Sequence, residues 1–173
     1  MYVIGRLVGR EGVVRRLVEL LTAPHYASAL LVAPRGSGKS AVLGEVVRRL
    51  GGAGPAPDPW GHCGAVAAAS GSVIVMDDPQ RHCSVAMVRA LAGRAARAGV
   101  RYVIATSDPR TAGLAGHWQM PPYAVPVGMW NVAKGEFEEL YYAARRLYPG
   151  APPFEDAWAV AGGNPKVLLA WAR

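Results

Sequence analysis

Two hydrophobic periods alternate along the chain. After Val8-Gly9-Arg10-Glu11, the residues Val13, Val14, Leu17, Val18, Leu20 and Leu21 share one side of a 3.6-residue turn, and Arg15, Arg16 and Glu19 take the other. This predicts a helix that Pro24 ends. Ala29-Leu30-Leu31-Val32 is a short unbroken apolar run, the pattern of a parallel strand covered on both faces. A Gly-rich stretch follows, and Ser40 to Leu50 returns to the helical period. Gly51 to Gly61 is too rich in Gly and Pro for a regular element, and the alanine-rich Gly64 to Ser70 reads as either a helix or a poor strand. Val73-Ile74-Val75-Met76 is the clearest strand and ends at Asp77-Asp78. Ser84 to Ala98 predicts a helix capped by Ser84 and closed by Gly99. Val100 to Ala105 predicts another buried strand, which runs into Thr106-Ser107-Asp108. Tyr123 to Val127 is a fifth apolar segment, Lys134 to Leu147 a helix, and a last helical pair breaks at Gly162-Gly163-Asn164-Pro165. Strands alternating with helices imply α/β architecture: an open parallel sheet of about four or five strands flanked by helices and joined by right-handed crossovers.

At 173 residues, the chain has the length of one domain with a small appendage. The expected division is an αβ core over residues 1–130 and a small helical lid over residues 131–173. The net charge of +7 is carried almost wholly by arginine, since Lys39, Lys134 and Lys166 are the only lysines. Such a surface attracts polyanions, so DNA is a candidate non-specific partner. Arg15-Arg16, Arg48-Arg49 and Arg145-Arg146, with Arg94 and Arg97, are equally readable as solvated helix faces, and Trp118, Trp130, Trp158 and Trp171 as packing residues. The few Asn and Gln residues fit a thermophile. Gly, Pro and Ser interrupt the segment from Ala56 to Met76, so no membrane span is expected and the chain reads as cytoplasmic. His62-Cys63 and His82-Cys83 lack the usual two-residue spacing of a structural zinc site. Unpaired thiols are the default, with a Cys63-Cys83 disulfide and zinc as alternatives.

The chemistry concentrates at Ala33-Pro34-Arg35-Gly36-Ser37-Gly38-Lys39-Ser40, between a predicted strand and a predicted helix. In the pattern GxxxxGK[ST], glycines turn backbone N–H groups inward around phosphates at a helix N-terminus. The lysine reaches the β/γ oxygens, and the hydroxyl ligates Mg²⁺. Pro34, Arg35, Gly36, Ser37, Gly38, Lys39, Ser40 and Ala41 are therefore candidate contacts for ATP. Ala33 stands where the pattern has Gly, which narrows the backbone conformations open to the entry of the loop.

The acidic end of the strand at Val73 to Asp78 resembles a Walker B motif. The resemblance gives Asp77 the Mg²⁺ and Asp78 the attacking water, although the second position is usually Glu and Asp is one methylene shorter. Thr106-Ser107-Asp108 resembles a sensor-1 element, with Asp108 in the place often taken by Asn and Ser107 or Thr106 as substitutes. Leu7-Val8-Gly9-Arg10-Glu11 looks like the hhGRE box of archaeal and STAND ATPases and of origin-recognition initiators, where Val8, Gly9 and Arg10 would lie against adenine. Gly162-Gly163-Asn164-Pro165-Lys166-Val167-Leu168-Leu169 is similar to their GGNPxxL lid motif, which implies a phosphate contact from Lys166.

Together the boxes resemble an archaeal-type AAA+/STAND P-loop ATPase in minimal or trimmed form. The resemblance implies a sensor strand between the P-loop and Walker B strands, ATP/ADP with Mg²⁺ as ligands, and a nucleotide-driven switch acting on DNA, a protein partner or another copy of itself. It also implies a shortened or absent strand before Walker B, and Arg101 or Arg110 as a candidate arginine finger. Two competitors remain: a small-molecule P-loop kinase, which would place the Walker B strand directly beside the P-loop strand, and a non-hydrolysing adaptor.

Overall fold

The structure is a computed structural model that describes residues 7–24, 28–51, 65–68, 73–113 and 124–172. Its strands are β1 (Ser28–Val32), β2 (Ala65–Ala68), β3 (Val73–Asp77), β4 (Arg101–Thr106) and β5 (Ala124–Gly128). Its helices are α1 (Glu11–Thr22), α2 (Lys39–Arg49), α3 (Val85–Arg97), α4 (Pro109–Gly113), α5 (Lys134–Leu147), α6 (Phe154–Ala161) and α7 (Pro165–Ala172), and a 3-10 turn spans Pro79–Arg81.

The architecture is α/β with an open sheet in the order β2-β3-β4-β1-β5. Four strands, β3, β4, β1 and β5, run parallel. The register sets Val32 opposite Thr106 and Asp77 opposite Ala105, so β1, β4 and β3 end along one edge. The four parallel strands are the open parallel sheet expected above, and the ambiguous Gly64 to Ser70 segment adds a short edge strand of opposite direction: β2 pairs antiparallel with β3, Ala65 facing Met76 and Ala68 facing Val73. Antiparallel neighbours accept a short connection, whereas a parallel crossover needs a dozen residues or more. The interval from Ala68 to Val73 leaves room only for the former.

Strand residues alternate between two cores, as the period of two requires. Ala29, Leu31, Val73, Val75, Val103 and Ala105 face α1 and α2, meeting Val14, Leu17, Leu21, Val42 and Val46. Leu30, Ile74, Met76, Tyr102 and Ile104 face α3 and meet Val88, Leu91, Ala92 and Ala95. A third cluster joins the last three helices through Val132, Phe137, Leu140, Tyr141, Ala144, Ala157, Ala161 and Leu168, with Val8 packed against it. Trp158 meets Phe137 edge-on there, with 5.2 Å between ring centroids. Trp130, read above as packing, is instead exposed, and Trp118 lies outside the described residues. The described ends of α3 follow the reading above: Ser84 accepts a hydrogen bond from the Met87 N–H, and Gly99 adopts φ +70°. Helix α4 is additional, since its sequence resembles a plain turn.

Glu45 is buried on α2 and accepts from Arg48 at 2.8 and 2.6 Å and from Arg49 Nε at 2.8 Å. Arg49 also forks onto both oxygens of Glu11 at 2.7 Å, which clamps α1 to α2. Hydrogen bonds from Arg48 first, then Arg49, outweigh burial and hold the Glu45 carboxyl at about 2, against an ordinary 4.5. A depressed folded-state value stabilises above the ordinary value and loses that contribution as pH falls through the folded one. Glu45→Gln is therefore expected to lose about 1 kcal/mol at pH 7, the figure being discounted because both arginines meet solvent. Urea melts should show the difference shrinking below pH 4.5 and closing near pH 2.

Candidate functional site

Where β1 ends, the Ala33 N–H donates to the Thr106 carbonyl at 3.1 Å, and the chain then leaves the sheet. Gly36 at φ +82° and Gly38 at φ +98° occupy left-handed conformations that an L side chain rarely adopts. Ala33 is not at a positive φ, so alanine at the first position of the pattern costs this loop no strain. The Ser37 hydroxyl donates to the Pro34 carbonyl at 2.7 Å and closes the turn, and Gly38 forms the N-cap of α2. Behind the loop, buried Arg10 donates to the Ser37 carbonyl at 2.8 Å.

Lys39 is buried and folds back over the loop, donating to the Ala33 and Pro34 carbonyls at 3.2 and 3.1 Å. Burial lowers its pKa, against the pull of Asp78 and Asp77. At the end of β3, the Asp77 Oδ1 atom is buried without any hydrogen-bond partner. A buried carboxylate oxygen left unmatched is costly, and it is an open ligand position for a hard cation.

Asp78 is buried as well, and it is the single non-glycine residue with positive φ, at 44°, among the described residues. Its Oδ1 accepts from Gln80 Nε2 at 3.0 Å, the Ser107 N–H at 3.1 Å and the Ser107 hydroxyl at 3.4 Å. Its Oδ2 accepts from Arg81 Nη2 at 3.1 Å. Burial pushes this carboxyl up, but the Gln80 bond, Lys39, Ser107 and Arg81 together hold it below its ordinary value.

The sensor candidates separate. Ser107 reaches Asp78, and the Thr106 hydroxyl donates to Gln80 Oε1 at 3.2 Å. Asp108 does not join them. Its Oδ2 accepts from the Thr111 N–H and hydroxyl at 3.1 and 3.0 Å, and its Oδ1 accepts from Arg110 at 3.4 Å. It caps α4. Arg110 is the partner of Asp108, and Arg101 binds the carbonyls of Leu21 and Ala23 at the opposite edge of the sheet. Among the described contacts, none joins either arginine to the loop.

The last two helices close the site from above. Asn164 caps α7 by accepting from the N–H groups of Lys166 and Val167 at 3.0 and 3.3 Å, and it donates to the Arg35 carbonyl at 2.9 Å. A Cβ on Gly36 would stand 2.6 Å from Asn164 Oδ1 and 2.7 Å from Lys166 Cβ, so glycine also permits this close approach. Gly163, at φ +78°, lies so close to the Val132 carbonyl that a Cβ would stand 2.2 Å from it. Gly9 packs on the Glu136 carboxylate, where a Cβ would stand 2.7 Å from it. The contacts described for Val8, Gly9 and Arg10 are thus with α5, its cluster and the loop.

Between the loop and α7 opens a cavity of about 700 Å³. Arg35, Lys39, Arg81 and Lys166 give its wall four cationic side chains, against the one carboxylate of Asp78. Gly36, Gly38, Ser40 and Ala41 form its floor, and Pro165, Leu169 and Ala170 offer an apolar side. Such a wall suits a polyanion that carries a small apolar body. Gln80 and Arg81 belong to no sequence motif, and Asn164 belongs to one only as a member of the GGNPxxL box. An Asn before a Pro-initiated helix carries an N-cap signal, but its contact with Arg35 bridges residues too distant for any local pattern to show.

A scan of protein-family models and a search of curated proteins found no match to the chain. Among the described residues, no group of three or more His, Cys, Asp and Glu is placed to hold a metal, and no helix is long and apolar enough to cross a membrane. Cys83 is disulfide-bonded, which corrects the expectation of unpaired thiols, and His62 and Cys63 lie outside the described residues. Since Gly163 combines a left-handed backbone with an approach that no Cβ fits, Gly163→Ala is expected to lower unfolding free energy by at least about 2 kcal/mol in denaturant melts.

Proposed function

We propose that the chain is a Mg²⁺-dependent ATP-binding protein and an ATPase of AAA+/STAND type, working as a nucleotide-driven switch. The observation that carries this reading is the cavity itself: a glycine loop at a helix N-terminus with four cations around it. The unpartnered Asp77 oxygen stands outside that lining, at the end of β3, where the Asp77 charge still acts on Lys39. Strand order supports it over the kinase alternative, because β4 stands between β1 and β3.

On this reading, the N–H groups of Gly36 to Ser40 cradle the phosphates and Lys39 exchanges the carbonyls of Ala33 and Pro34 for phosphate oxygens. Ser40 and Asp77 would hold Mg²⁺, which supplies neutralisation of charge on the terminal phosphates. The fit of the ion rests on Asp77 Oδ1, a buried acceptor that has no protein donor. Asp78 takes the proton of a water whose oxygen bonds to the terminal phosphorus. The bond to the bridging oxygen breaks, and ADP leaves with its electrons. Asn164 ties the loop to α7, so a change in the loop is carried to the helices of residues 134–172.

A slower or absent hydrolysis has its own observation, since both oxygens of Asp78 are already engaged. The basic surface makes DNA the first polyanionic partner to add.

Calorimetry with ATP and Mg²⁺ should show binding by the wild-type chain and a loss of at least about a hundredfold for Lys39→Ala, the scale of several charge-assisted bonds. Asp77→Asn should bind ATP with little dependence on Mg²⁺. Phosphate release with and without DNA then separates ATPase from adaptor. Absence of ATP binding sinks the proposal, and binding without release leaves the adaptor.

A further inference from the structure

The proposed chemistry assigns no task to Arg81, although it lines the same cavity wall as Lys39 and its guanidinium lies on the carboxylate given to the attacking water. The partners of Asp78 differ in what they allow. On Oδ1, the shorter Ser107 donor is backbone, its hydroxyl adds a longer bond, and Gln80 is itself held by the Thr106 hydroxyl. That side is locked. On Oδ2 the only hydrogen bond described is that of Arg81, whose side chain keeps 61% of its surface in solvent and can swing without breaking a buried contact. Arg81 also sits at the end of the 3-10 turn that starts immediately after Asp78. Its reach therefore centres on the carboxylate and on whatever anion lies beside it.

We infer that Arg81 is a terminal-phosphate reader: it covers Asp78 Oδ2 while the cavity holds no triphosphate, and transfers its guanidinium to the terminal phosphate when one binds. The transfer does two things with one side chain. It adds a charge-assisted bond to the phosphate that ADP lacks, and it uncovers the oxygen that accepts the proton of water. Lys39 makes a parallel exchange from the Ala33 and Pro34 carbonyls, but those partners are neutral, so its move releases no base. Arg35 and Lys166 share the cavity and have no hydrogen bond to Asp78 among those described. Among the four cavity cations, Arg81 is the one with a described hydrogen bond to the carboxylate, and through that bond it couples phosphate recognition to Asp78.

The inference rests on the reading that ATP occupies this cavity, and the test keeps the two apart. Affinities for ATP and ADP, each with Mg²⁺, are measured by calorimetry on the whole chain for wild type, Arg81→Ala and Arg81→Lys, together with thermal melts. Arg81→Ala should weaken ATP about tenfold, the scale of one lost bond between charged groups, and leave ADP within about threefold. Arg81→Lys should recover part of the ATP preference because it keeps the charge without the planar fork. Unshifted melts for both variants keep the effect in the site. Equal loss for ATP and ADP, or no loss for either, overturns the role of Arg81 while ATP binding by the wild type stands. A wild-type chain that binds neither nucleotide overturns the parent reading, and this inference falls with it.

Discussion

Parallel pairing of β4 with both β1 and β3 determines where everything else can sit. Because Val32 lies opposite Thr106 and Asp77 opposite Ala105, three chain segments leave the sheet at one level and on one edge. The loop to α2, the turn at Asp78 and the residue Ser107 become neighbours without further folding, as the carboxyl edge of an open α/β sheet allows. A slip of one residue between β3 and β4 would exchange the two faces of β3, burying Asp77 against a helix and removing Asp78 from Ser107. The two apolar cores oppose such a slip, since Val73 and Val75 meet α2 while Ile74 and Met76 meet α3. Hydrophobic packing on either side of the sheet thus fixes an arrangement of polar groups that has no stability of its own.

The second constraint is contact distance. Asn164 approaches the loop where Gly36 has no side chain, and Gly163 approaches Val132 in the same way. Each glycine removes an obstacle and also supplies a backbone conformation that other residues would adopt under strain. The result is a cap whose helix start and loop contact both belong to one amide group. The same helix enters the cluster around Phe137 and Tyr141 through Leu168, and Val8 packs on that cluster from the other end of the chain.

Much of this was legible beforehand because the signals are local. The apolar runs at Ala29 to Val32 and Val73 to Met76 and the segment Val100 to Ala105 name the buried strands, and the glycine spacing before Lys39 names the loop. What escaped depends on pairing partners far along the chain. The antiparallel direction of Ala65 to Ala68 follows from connection length, not from composition, which is nearly featureless there. Asp108 looked like a sensor by its offset from the strand, but Thr111 three residues later gives a short Asp side chain nearer donors, and local capping wins. The engagement of Asp78 by Arg81 needed the 3-10 turn, whose first residue, Pro79, is better known for ending an element than for turning one back.

Asp78 gathers these threads. Holding a non-glycine residue at φ 44° costs on the order of 1 kcal/mol or more, and the backbone keeps that conformation through its bond to the Ala105 carbonyl and the side chain through Gln80 and Ser107. Strain of this kind persists only where surrounding contacts determine it, and here they aim the carboxylate at the cavity instead of along the strand. A Glu in its place would reach further but would carry an extra rotatable bond into a network measured for a short side chain. The shorter acid is thus matched to a tighter turn: what a longer side chain gains in reach, this chain obtains from the backbone. Where the Asp78 carboxylate stands in the cavity is accordingly set by how the turn at Pro79 to Arg81 sits, and that turn also carries the guanidinium hydrogen-bonded to it.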